Sequence, residues 1–75
     1  MYDLNELELK IQELEYTVAD LKKELRRIKS TINKLEKIGL SIPSELLFKK
    51  EDVEIILKDR KQELKALKKV AEIIK

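Results

Sequence analysis

Cysteine, histidine and tryptophan are absent from this chain of 75 residues, and each absence closes a route to function. Without cysteine there is neither a disulfide nor a thiolate; without histidine the commonest general base and a principal zinc ligand are missing, so a zinc site is excluded. Glycine and proline occur once each, as Gly39 and Pro43, and the aromatics are limited to Tyr2, Tyr16 and Phe48. Asn5, Asn33, Gln12 and Gln62 are the only side-chain amides, a bias that resembles proteins working at high temperature. No apolar run approaches the roughly 18 residues of a membrane helix, and no signal peptide is expected. The expectation is a cytoplasmic protein with no membrane partner.

Catalytic chemistry is equally thin. Thr17, Ser30, Thr31, Ser41 and Ser44 have no histidine to activate them, and Glu51, Asp52 and Glu54 have the spacing of a solvated helix start. Neither an enzyme nor a bound cofactor is expected, since a helical hairpin also lacks the concavity that a site requires.

What the chain does have is periodicity. Leu4, Leu7, Ile11, Leu14, Val18, Leu21, Leu25, Ile28, Ile32 and Leu35 recur alternately three and four residues apart, the signature of a coiled-coil seam. A second seam carries Leu57, Leu64, Leu67, Ala71 and Ile74, preceded by Val53. It is widened by Ile56 and Val70 beside it and by Ile55, Ala66 and Ile73 further round. A stripe that wide touches more than one neighbour. On the first helix Tyr2, Leu9 and Tyr16 repeat every seven residues opposite the main seam, a second apolar stripe.

Gly39 suits a left-handed helix cap, Lys34 and Lys37 complement the last turn, and Pro43 discourages continuation. The spacing therefore predicts a single helical-hairpin domain over residues 1–75. Helix one runs over about 3–38, the turn over 39–43, and helix two over about 44–75 with Ser44 as its N-cap and an irregularity near Phe48. The fold class is an all-α, two-helix antiparallel coiled-coil hairpin, expected to dimerise into a four-helix bundle because one helix pair encloses little interior.

Charge supports that direction. Each helix is acidic first and basic later, so folding back sets Asp3, Glu6, Glu8, Glu13, Glu15 and Asp20 beside the lysines of the other helix. Such exposed pairs select orientation more than they add stability. Against this, Ile11, Val18 and Ile32 at one seam position with Leu7, Leu14, Leu21 and Leu35 at the other suit a parallel two-stranded coil between chains. The two readings are compatible if a hairpin within each chain pairs with a second chain along another face.

Three further groups are candidate sites. Arg60 occupies a seam position where an apolar residue is expected, and a turn near residues 41–42 puts it opposite Glu24, predicting an Arg60 to Glu24 contact that fixes register. Leu40, Ile42, Leu46, Leu47 and Phe48 cluster at the turn and are expected to seal the bundle end or fill a dimer contact. Lys23, Arg26, Arg27, Lys34 and Lys37 form an outward basic face without an acid, the candidate contact for DNA or RNA. Helix-two lysines Lys58, Lys61, Lys65, Lys68 and Lys69 are expected at the other end of the hairpin, beside acids. The function these readings favour is a non-catalytic, self-associating interaction or assembly module; the alternative is a small nucleic-acid-binding regulator.

Overall fold

The computed structural model describes residues 3–74 as two helices, α1 (Leu4–Lys37) and α2 (Ser44–Ile74), packed against each other, with no strand among the described residues. Tyr2, expected on the second stripe, and Lys75, expected at the end of helix two, lie outside the described residues. The 34 residues of α1 rise about 51 Å at about 1.5 Å each. That matches the 54 Å long axis of a molecule only 15 by 14 Å across, so the helices lie along one another for their full length.

Local chemistry fixes the ends. The Glu6 backbone N–H donates to Asp3 Oδ1 at 2.8 Å, satisfying one of the N–H groups that the first turn of α1 leaves without a partner. At the other end the Leu40 N–H donates to the Leu35 carbonyl at 3.0 Å and the Gly39 N–H to the Glu36 carbonyl at 3.1 Å. With Gly39 at φ 76° this is a Schellman cap, which returns the chain toward the helix it has just left. A Cβ at Gly39 would meet nothing within 4 Å, so the cost of Gly39→Ala is backbone strain alone, about 1 kcal/mol. The thermal midpoint should fall by about 4–8 °C; an unchanged or higher midpoint in a melting scan would contradict this reading of the cap.

Helix α2 starts differently from the expectation. Ser44 is itself helical, and the Leu46 and Leu47 N–H groups donate to the Pro43 carbonyl at 3.0 and 3.3 Å, so that carbonyl rather than the Ser44 side chain supplies the first acceptor. Proline suits the position: its φ is preset and it has no N–H to leave unpaired. The helix then continues through Phe48 without the expected irregularity.

The helices run antiparallel. Glu15 pairs with Lys68 at 3.8 Å and Glu24 with Lys49 at 3.6 Å, so rising numbers on α1 meet falling numbers on α2. Residues 38–43 between the helices permit nothing else, because a parallel return would need a connection as long as the rod. The core is the paired seams: Leu7, Leu14, Val18 and Ile28 of α1 are buried with Val53, Leu57 and Ala71 of α2. Ile11, Leu21, Leu25, Ile32 and Leu35 are half-buried beside them, whereas Leu4 at the open end is exposed. Among the described residues, a strip this narrow seals no side chain completely.

Candidate interaction surfaces

The burial pattern of α2 gives its seam as Leu46, Lys50, Val53, Leu57, Arg60, Leu64, Leu67, Ala71 and Ile74, alternately four and three apart. All but Ile74 are buried or half-buried. Two members are hard to see in the sequence. Leu46 reads as part of the turn, and Lys50 hides among charges although it occupies the same kind of position as Arg60. Its stem packs while its ammonium lies 3.8 Å from Glu54 Oε1, one turn further along α2.

The expected Arg60 to Glu24 contact is replaced by two others. Arg60 Nη1 donates to Asp59 Oδ2 at 2.9 Å and to Glu63 Oε2 at 3.4 Å, both on its own helix, and Glu24 takes Lys49. The reason is register. Arg60 borders a groove with Lys10, Glu13, Leu14 and Thr17, and Glu24 lies seven residues beyond Thr17, about 10 Å further along the helix. Arg60 therefore fills its seam position with an aliphatic stem and satisfies its guanidinium locally.

The turn cluster divides. Ile42 and Leu46 are half-buried and close the end of the hairpin, while Leu40, Leu47 and Phe48 stand in solvent. Leu9 and Tyr16, the latter 66% exposed, project from the side of α1 directly opposite its seam.

The basic face is differently composed from the sequence reading. Lys23, Arg26, Arg27 and Lys34 do border one shallow depression, together with Ser30 and Thr31, and Lys37 lies exposed in the last turn of α1. Lys23 and Arg27, however, also line a groove of about 500 Å³ that includes Asp20, Glu24 and Lys49. Nearby carboxylates thus border a face that looked free of acids. A second concentration of positive charge arises between the helices: Lys22, Lys61, Lys65, Lys68 and Lys69 line one groove over Val18 and Leu64, with Glu72 its single acid among the described residues. The basic stretches of α1 and α2 meet at mid-rod, where Lys22 and Lys61 line one groove, and run from there toward opposite ends, Lys68 lying beside Glu15 as expected.

One feature left unassigned by the seams is the outer flank of α2. Ile55, Ile56, Val70 and Ile73 are all exposed, Ile55 by 67% and Ile73 by 84%. On the opposite flank of α2, at the same levels, stand Glu54, Lys58, Lys61, Lys65, Lys68 and Glu72. The helix thus has one charged side and one apolar side in addition to its seam, which accounts for its wide apolar stripe.

Among the described residues no helix is long and apolar enough to cross a membrane, and no cluster of three or more carboxylates is placed to hold a metal ion. The surfaces offer recognition by shape, apolar area and charge. Comparison with protein-family models, curated proteins and solved structures finds no match to this chain.

Proposed function

We propose that this chain is a non-catalytic coiled-coil assembly module that self-associates as a homodimer of hairpins, four helices in all. The observation that carries this reading is unspent surface. The hairpin exposes 6176 Å², whereas a compact monomer of 8.9 kDa exposes about 4,800 Å². The excess, about 1,400 Å², exceeds the roughly 800 Å² that each partner contributes to a standard interface. The exposed isoleucines of α2 supply apolar area for such a contact.

The test is molar mass by sedimentation equilibrium over a concentration series at low and high salt. A mass twice that of one chain, little changed by salt, is the expected result, since apolar burial rather than exposed ion pairs drives the association. A folded monomer at every concentration would overturn it.

A second reading rests on the groove between the helices. Lys22 and Lys61 border it together although like charges there repel, and Lys65, Lys68 and Lys69 line the same groove, in which Glu72 and the Glu15 partner of Lys68 offset only part of the positive charge. A polyanion relieves that repulsion, which favours DNA or RNA as an alternative partner, with Lys23, Arg26, Arg27, Lys34 and Lys37 on the back of α1 as further contacts. Binding of this kind weakens steeply with salt and is lost on replacing Lys22 and Lys61 with Glu. Fluorescence anisotropy with labelled single- and double-stranded oligonucleotides distinguishes it from the assembly reading.

A further inference from the structure

We propose that two copies of this chain meet through the outer flank of α2, helix against antiparallel helix, about a two-fold axis that crosses the outer side of α2 at the level of residue 64. This deepens the self-association reading and rests on it. Three observations carry the proposal.

First, the flank is apolar by placement rather than by composition. Ile55, Ile56, Val70 and Ile73 are exposed on one side of α2, with Asp59, Gln62, Ala66 and Lys69 between them, while the other side of the same turns holds charged residues alone. A side chain such as Ile73, 84% exposed, gains from leaving water and has nothing within its own chain to pack under.

Second, the stripe is self-complementary. Ile55 and Ile73 are equidistant from residue 64, as are Asp59 and Lys69, and Gln62 and Ala66. An isologous contact requires a surface that matches itself after a two-fold rotation. Antiparallel pairing sets each Ile55 against Ile73 of the second copy and each Asp59 against Lys69 of the second copy. Parallel pairing would set Asp59 on Asp59 and Lys69 on Lys69. Charge therefore selects the antiparallel arrangement, and the match of Ile55 to Ile73 and of Asp59 to Lys69 about residue 64 selects a second copy over an unrelated chain, with Ile56 and Val70 at the edge of the contact.

Third, the quantity of surface suits the occupant. From Ile55 to Ile73 the stripe runs about 27 Å along the helix, leaving α1 uncovered and meeting the basic groove through Lys69.

The experiment is sedimentation equilibrium on the full chain and three variants, with circular dichroism to monitor helix content. Ile55→Glu with Ile73→Glu changes two exposed positions, so helix content should persist while dimer dissociation strengthens by about a hundredfold or more. Leu9→Glu with Tyr16→Glu, on the far side of α1, should leave the dimer intact. Asp59→Lys should weaken the dimer, and adding Lys69→Asp should restore it. A wild-type chain that stays monomeric overturns the self-association reading and this proposal with it. A wild-type dimer indifferent to Ile55→Glu with Ile73→Glu overturns the flank alone. Failure of the reversed charges to rescue overturns the antiparallel register, and a wild-type mass above that of a dimer overturns the closed two-fold contact.

Discussion

Leu57→Asp is expected to abolish the folded hairpin. Leu57 is 7% exposed and lies in the seam of α2 between Val53 and Arg60. Removing its side chain forfeits about 2–5 kcal/mol with the cavity it leaves, and a carboxylate at a site with no cation shown to neutralise it costs several more. A small single-core domain holds about 3–5 kcal/mol in total, so the substitution exceeds what the fold can lose. The helices are not independently stable either, because an isolated helix depends on tertiary packing of its apolar face. Far-UV circular dichroism should show loss of most helical signal at room temperature. Retention of the wild-type spectrum and melting temperature would show that the two seams do not hold this chain together. The same change at Ile73, which is exposed, is the control: it should leave helix content intact.

The second large effect has the opposite sign. Lys50→Leu with Arg60→Leu completes the seam of α2 and should stabilise the hairpin by about 1–2 kcal/mol at each site, since polar residues at these positions cost stability. In a domain of this size the combined gain raises the melting temperature by about 10 °C or more. The ion pairs given up, Lys50 with Glu54 and Arg60 with Asp59 and Glu63, are exposed contacts within one helix and offset little of the gain. The completed seam should also be less particular about partners, so the variant should populate larger oligomers than the wild type in sedimentation experiments. A lower melting temperature would mean that the Lys50 and Arg60 head groups contribute more than their stems, which would reverse the interpretation of both residues.

These two substitutions also show how much of the molecule is legible in its sequence. The seam of α1 is read directly because every position from Leu4 to Leu35 is aliphatic. That of α2 is interrupted at Lys50 and Arg60, so its phase emerges only from Val53, Leu57, Leu64 and Leu67, and its first member, Leu46, is absorbed visually into the turn. Gly39 marks the end of α1 because its positive φ is a conformation few other residues tolerate. Pairings across the hairpin are harder. A contact between opposed helices depends on where the turn begins and ends and on which side of each helix a residue stands. Arg60 faces the seam, whereas Glu24 stands on the flank beside Lys49, two turns from the groove that Arg60 borders. Charge patterns are legible along one helix but not between two: the acids Asp20 and Glu24 join Lys23 and Arg27, and Lys22 joins Lys61, only after folding. The function carries no local signature because side chains with distinctive chemistry are missing, which leaves the distribution of apolar and charged area over three faces as the informative quantity.

The slenderness of the hairpin affects how its partners are to be counted. Its Cα radius of gyration is 16.9 Å, against about 11 Å for a compact domain of the same length. A compact domain with that radius would contain about 210 residues, close to three times this chain. One hairpin therefore diffuses and elutes as though it were an oligomer of itself, and a size exclusion volume interpreted against globular standards would report association where none has occurred. Mass, measured independently of shape, is the quantity that separates one copy from two.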